Sequence, residues 1–323
     1  METPQTLIDA VRYFSDLDVC QKYMAEIRWV DGKPICPKCG CDRTSYLTTQ
    51  RRYKCMAKEC HKQFSAKVGT IFEDSPLPLS SWFVAIWLIA NAKNGISSCE
   101  LARALGTRQA TAWFMLHRIR LAMQTGSFRK LENVVESDET FIGGKAANMH
   151  KHVRERKIKG RGTVGKTVVH GLLERGDKDA ETVSRVVAQV VPNTEAETLM
   201  SEILRNVARD AVVCTDAAAA YAGLRSGFIH HAIDHATAYV RGRVHVNGIE
   251  NFWALLKRML GGTYVAVAPF HLHRYVTEEV FRFNERDTND GRRFAKTIAG
   301  VFGKRVTLRE LCAIGDAGFM GLK

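Results

Sequence analysis

The sequence predicts an α/β fold: a sheet covered by helices, preceded by a small cysteine-rich module and a helical group. Three observations predict it. Five of the nine cysteines fall between residues 36 and 60. The apolar pattern is mainly helical up to about residue 124 and turns to strands from about 133. The later strands alternate with helices, the pattern of a sheet with covered faces. A chain of 323 residues is long enough for two or three such parts.

Taken in order, Leu7, Val11, Phe14, Leu17, Tyr23 and Ile27 recur at helical spacing, so 5–29 reads as helix and 1–30 as an N-terminal helical segment. Residues 31–70 lose that period and gain Cys, Gly, Lys and aromatic punctuation. Ser80 reads as the cap of a helix from Ser81 to Asn94, ended by Gly95. Ser97 and Glu100 form a capping-box pattern for ISSCELARAL, which stops at Gly106, and Thr107 reads as the cap of RQATAWFMLHRIRLAM. Helix, glycine turn, helix is the helix-turn-helix pattern, which makes 71–130 a helical, DNA-binding candidate. In it Arg108, Arg118 and Arg120, with Arg103 and His117, offer cations to phosphates and base edges, while Trp113, Phe114, Leu116 and Ile119 form the core face.

VVESDETFIGG, GKTVVHGLLERG and ETVSRVVAQVV then read as strands. NTEAETLMSEILRNV reads as a helix with Thr194 and Glu197 as its capping box. AVVCTD is a short buried strand, FIHHAI a fifth, and NGIENFWALLKRML an amphipathic helix. These make 133–287 one α/β domain and leave 288–323 as a C-terminal tail. The sequence contains no internal repeat.

The formal charge of +13 favours a polyanionic partner, by steering and by counterion release from phosphates. The N-terminus lacks the basic start and apolar run of a signal peptide, and the longest apolar stretch, 82–92, is about half of a membrane span. The expected setting is cytoplasmic, away from membranes, where clustered cysteines speak for metal rather than disulfides. Cys36 and Cys39 make one pair, Cys55 and Cys60 a wider second pair, with fifteen residues between. Two short cysteine turns supply the four soft ligands of a tetrahedral Zn²⁺, and with Gly40, Tyr53 and Phe64 they look like a zinc ribbon over 31–70. The wider second pair leaves Cys41 and His61 as alternative ligands, with Cys60 the replaceable position.

Three acids stand out. Asp138 ends an apolar strand, Asp216 ends another 78 residues later, and Glu250 follows by 34 on the amphipathic helix. Carboxylates that converge in this way repel one another unless cations neutralise them, which two Mg²⁺ or Mn²⁺ ions do at phosphoryl-transfer sites. Each acid has another reading. Glu136 and Glu139 flank Asp138 as alternative ligands. Asp216 is placed to cap AAAAYAGL. Asn247 and Glu250 have the spacing of a capping box, and Asn247 reads as the helix cap.

The strings RWVDGKPICPKCG, QFSAKVGTIFEDSPLPLSSW, SDETFIGGK, VVCTDAAAAY, HVNGIENFWALLKRMLGGTY and HLHRYVTEEVFRFNER span nearly the whole chain. On them the chain resembles bacterial insertion-sequence transposases of the ISXO type, in the DDE superfamily. The resemblance implies an RNase H-like catalytic domain over 133–287, a triad of Asp138, Asp216 and Glu250, and Lys257 as an accessory DNA contact. Some members carry Asn as the third residue; this sequence keeps Glu250. The implied reaction is phosphodiester hydrolysis at transposon ends, followed by strand transfer of the 3′-hydroxyl into target DNA. A nuclease that cuts without rejoining and a non-enzymatic DNA-binding regulator are the alternatives. Holding two ends together calls for a homodimer or larger assembly.

Residues 145–166 carry eight Lys or Arg, among them Lys145, Arg154, Arg156, Lys157, Lys159 and Arg161, and read as a DNA-binding arm beside the acids. His245 is placed to approach the same site. His271 and His273 lack a third ligand in register and are set aside.

Overall fold

The computed structural model describes residues 4–124, 129–143, 165–177, 181–216, 221, 228–233 and 245–313. The chain divides into two compact units, residues 1–125 with 288–323, and residues 126–287.

The first unit opens with two helices where the periodicity suggested one: α1 (Leu7–Tyr13) and α2 (Leu17–Arg28). The break falls at Phe14–Asp16, because the Asp16 carboxylate accepts the Asp18 N–H and starts a new helix. Strands β1 (Thr44–Leu47), β2 (Arg52–Cys55) and β3 (Gln63–Phe64) form an antiparallel sheet in that order. Tyr53 packs at its centre between Trp29 and Phe64. Helix α3 (Leu79–Asn91) starts earlier than expected, directly after Pro78, whose φ of −67° already suits a helix entry; Ser80 lies inside the first turn and does not cap it. Helix α4 (Ser98–Leu105) has the expected Ser97–Glu100 capping box and ends at Gly106, at φ 63°. Helix α5 (Gln109–Met123) begins after Arg108, and its start has no side-chain cap; the Thr107 hydroxyl turns to the Arg108 carbonyl instead.

The described part of 288–323, expected as a tail, is folded into this unit. Helix Asp290–Ala299 belongs to this unit, and its Phe294 sits in a ring cluster with Phe14, Tyr23, Phe83 and Trp87. Gly300 lies so close to α5 that a Cβ there would come within 2.1 Å of the Ala122 carbonyl oxygen. This docking joins residues some 200 positions apart, which no local pattern announces.

The second unit contains β4 (Val134–Ile142), β5 (Thr167–Glu174), β6 (Arg185–Val191), helix α6 (Ala196–Asn206), β7 (Val212–Asp216), β8 (Ile229–Ile233), and helices α7 (Asn247–Met259) and α8 (Leu272–Asn284). The sheet order is β6-β5-β4-β7-β8. The first three strands pair antiparallel; β7 and β8 add parallel to β4. One face packs Val169, Leu173 and Val186 under α7 and α8, through Ile249, Phe252, Trp253 and Val276. The other packs Val135, Leu172 and Val213 under Leu199 and Ile203 of α6, together with Tyr221. Helix α6 has no Thr194–Glu197 box, because Asn193 takes that role, accepting the Glu195 N–H and the Thr198 hydroxyl. At the β6 edge the Asn284 side chain bonds both the N–H and the C=O of Val186, covering backbone groups that an open edge would leave bare. Among the described residues no helix is long and apolar enough to cross a membrane.

Candidate functional site

Alternation along β4 decides where its acids go. Val135, Ser137 and Glu139 face α6, while Glu136 and Asp138 face α7. The parallel pairing of β4 with β7 sets Ser137 beside Thr215, so the next residues, Asp138 and Asp216, lie side by side. Asp216 ends β7 as expected, but Asp138 does not end its strand: it pairs with Gly171 in mid-strand, and β4 runs on to Ile142. Helix α7 crosses this end of the sheet and carries Glu250, an exposed residue, in its first turn.

Asp138 lies within electrostatic reach of the other two acids. The Asp138 carboxyl is pushed up to about 6, first by burial and further by the charges of Asp216 and Glu250; the Glu139 N–H and the Trp253 indole act in the opposite sense. Trp253 Nε1 donates to Asp138 Oδ2 at 2.9 Å, fixing its carboxylate. Carboxylates are hard oxygen donors that suit a divalent cation such as Mg²⁺, though among the described residues only the four cysteines already stand close enough together to hold an ion.

The flanking acids have other partners. Glu136 is fully buried, receives Arg175 Nε at 2.6 Å and accepts the Ile249 N–H at 2.8 Å. Glu139 lies across the sheet and accepts the Tyr221 hydroxyl. Burial pushes its carboxyl up to about 7, against the Tyr221 bond, with the charges of Asp138 and Asp216 adding. Asn247 does not cap α7: the cap position is Val246, without a side-chain bond, so the capping box between Asn247 and Glu250 is not formed. The alternative role of Asp216, capping 217–224, lies outside the described residues apart from Tyr221. His245 faces the Glu136 side, with Nδ1 2.9 Å from Arg175 Nη2.

Gly171 had no assigned role in the sequence reading, yet it makes room for this arrangement. A Cβ there would lie 2.5 Å from Cη2 of Trp253 and 2.9 Å from Cδ1 of Ile249. A glycine inside a strand is the available signal for such a close approach. Gly171→Ala is expected to push the indole off Asp138 and to destabilise the unit by about 1–3 kcal/mol, the usual range for overpacking. Urea unfolding measures this, and wild-type stability would contradict the packing account.

The cysteine cluster forms in the first unit. The sulfurs of Cys36, Cys39, Cys55 and Cys60 all lie within 4.8 Å of one another. Cys36 and Cys60 are 3.7 Å apart, Cys39 and Cys55 3.5 Å. Sulfurs on a tetrahedron with Zn–S near 2.3 Å are separated by about 3.8 Å, so the cluster fits Zn²⁺. Cys41 and His61 lie outside this group of four.

The cationic candidates divide. Lys257 is exposed on α7, and Arg108 is exposed at the start of α5. Arg118 and Arg120 are corrected: both are buried and cannot reach a phosphate. Arg118 is a structural residue, its guanidinium bonding the carbonyls of Val306, Ile71 and Glu73 and lying over the Phe114 ring. Every residue of α5 from Met115 to Arg120 is buried, so this part of the helix has no face for a groove. Lys145, Arg154, Arg156, Lys157, Lys159 and Arg161 lie outside the described residues.

Comparison with known families identifies the class. Residues 130–284 match the ISXO2-like transposase domain and residues 16–63 the transposase zinc-ribbon domain. Both parts are those of a transposase. The chain belongs to the family of ISXO2-like transposases with a zinc ribbon. It is 27% identical over 276 residues to an uncharacterized protein in transposable element ISH50 of Halobacterium salinarum, covering 80% of this chain and 90% of that one. An uncharacterized transposase-like protein of Haemophilus influenzae is 35% identical over 104 residues, 32% of this chain and 84% of the relative.

Proposed function

We propose that this transposase hydrolyses a phosphodiester at the ends of its element and joins the freed 3′-hydroxyl to target DNA, using Asp138, Asp216 and Glu250 as metal ligands. The observation that carries this reading is the approach of three carboxylates, from two adjacent strands and the helix across them, with Asp138 raised first by burial and further by the charges of the other two. The sheet order, three antiparallel strands followed by two parallel ones, supports an RNase H-like domain.

The chemistry balances without an outside energy source. Hydrolysis forms a bond from water oxygen to phosphorus and breaks the bond to O3′, leaving a 3′-hydroxyl and a 5′-phosphate. Joining forms a bond from that 3′ oxygen to a target phosphorus and releases the target's own 3′-hydroxyl, its proton passing to solvent and back. When bound, two Mg²⁺ or Mn²⁺ ions activate the attacking oxygen and stabilise the leaving one. Asp138 and Asp216 would hold them from the sheet and Glu250 from α7, while Trp253 keeps the Asp138 carboxylate in one orientation.

DNA is held by several parts. The helix-turn-helix reading narrows to the exposed entry of α5, where Arg108 and Gln109 reach outward. The basic run 145–161 is assigned to phosphate contact on charge alone. Lys257 stands seven residues, about 10 Å, along α7 from Glu250, too far to pair with it and well placed for a neighbouring phosphate. Synapsis of two ends makes the working form a dimer or larger.

Incubation with the element's own end DNA and Mg²⁺ tests the reading. Cleavage followed by joined product is expected; cleavage alone makes the protein a nuclease, and neither makes it a DNA-binding regulator. In the same assay Lys257→Ala should weaken end binding and lower the slope of log K against log salt by about one phosphate contact. An unchanged slope with normal cleavage returns Lys257 to plain surface charge.

A further inference from the structure

Helix α7 is attached to strand β4 at two points, and Glu250 lies between them. At the first, Glu136 accepts the Ile249 N–H at 2.8 Å. At the second, Asp138 accepts the Trp253 indole at 2.9 Å. The two acids are two residues apart on one face of an extended strand, about 7 Å. Their partners are four residues apart on a helix, about 6 Å. The two spacings match, so the helix lies with one turn spanned by one strand repeat.

Glu136 does what the helix's own cap does not. Val246 offers no side-chain bond to the first turn, and the buried carboxylate takes its place, bonding an N–H at the positive end of the helix. Arg175 pays the charge: its Nε lies 2.6 Å from Glu136 Oε1, and its Nη2 donates to the His245 carbonyl at 2.5 Å, tying down the chain just before the helix. His245 Nδ1 adds a contact with Glu136 Oε1 at 3.3 Å. Gly248 makes the approach possible, because a Cβ there would come within 2.9 Å of Glu136 Oε2.

We propose that Glu136 is a positioning residue, which sets the place of Glu250 opposite Asp138 and thereby the divalent-cation affinity of the acid cluster. This rests on the reading of Asp138, Asp216 and Glu250 as metal ligands. Glu136 touches neither the ion nor DNA; it acts through the helix.

The test is Mn²⁺ binding to the full, zinc-loaded chain, followed by electron paramagnetic resonance of the free ion, with thermal unfolding measured on each variant. Asp138→Asn reports on the ligand reading. Glu136→Gln keeps the shape but removes the charge that Arg175 and the helix terminus require. Gly248→Ala leaves the charge and moves the carboxylate, so it serves where Glu136→Gln does not fold. Both are expected to weaken Mn²⁺ binding by about 10–100-fold, as loss of groups supporting metal ligands does elsewhere. A folded variant of either kind that binds Mn²⁺ like wild type, whatever its melting temperature, overturns the proposal and leaves the ligand reading standing. Wild-type protein whose Mn²⁺ binding is absent, or untouched by Asp138→Asn, overturns both.

Discussion

Glu250→Gln should abolish end cleavage while leaving the fold and DNA binding close to wild type. The residue is exposed on the first turn of α7, and the capping box that would have given it a structural role is not formed. An exposed change of this kind typically alters stability by no more than about 0.5 kcal/mol, with a few tenths more for a charge lost near a helix N-terminus. Removing a ligand of the ions that carry the reaction acts on the barrier instead; a loss of at least about 1000-fold, roughly 4 kcal/mol, is expected. Asp138→Asn should lose cleavage equally but behave differently in stability. The folded-state carboxyl of Asp138 is raised from 3.8 to about 6. Between those values the folded protein keeps a proton that the unfolded chain has released, so stability falls as pH rises through this window, and the full penalty stands at pH 7. The amide carries no such penalty and still accepts the Trp253 indole. The metal-free Asn variant should therefore be more stable than wild type at pH 7, by on the order of 1–3 kcal/mol, and the gain should vanish near pH 4. Cleavage assays and chemical unfolding at both pH values check the pair. A Glu250→Gln protein that cuts at the wild-type rate removes Glu250 from the site.

What the sequence made legible was local. The strand-end placement of Asp216 follows from the apolar run that stops there, and the Ser97–Glu100 box and Gly106 turn follow from capping chemistry. Asp138 looked like a strand end for the same reason, but pairing with β5 carries β4 on to Ile142. Five strands of the second unit were visible as β-rich runs, though not the order in which they pair. What escaped was tertiary. Glu136 looked like a spare ligand, because nothing in VVESDET says that a helix more than a hundred residues later would need a cap. Asn247 looked like that cap for the complementary reason. Arg118 looked like a DNA contact, because buried guanidinium groups are rare and the carbonyls it bonds come from distant segments. Residues 288–323 looked like a tail because the partners of Phe294, Phe14 and Phe83 among them, lie at the other end of the chain.

Removing zinc should unfold the ribbon and leave the second unit standing. The small sheet β1-β2-β3 has little apolar interior: a few rings around Tyr53, Phe64 beneath them, and the two buried cysteines, Cys36 and Cys55. A module of this size depends on its metal, which contributes on the order of 10–16 kcal/mol of folding free energy in small zinc domains. The sulfur spacing of 3.5–3.7 Å is far longer than a disulfide bond of about 2.05 Å, so these are free thiols at the spacing that a bound Zn²⁺ requires. One Zn²⁺ per chain is expected by metal analysis. A chelator, or Cys36→Ser, should expose the ribbon amides to hydrogen exchange and reduce binding to end DNA. Cys60→Ser should do the same despite the wider spacing of its pair, because Cys60 closes the tetrahedron against Cys36. Cys41→Ser should do neither, since its sulfur turns away to the Arg43 carbonyl at 4.0 Å. Unit two, whose core rests on Leu173, Val186, Phe252 and Trp253, should keep its amide protection throughout. Ribbon amides that stay protected in metal-free protein would show that packing alone holds the module, and the cysteines would then be buried thiols and nothing more.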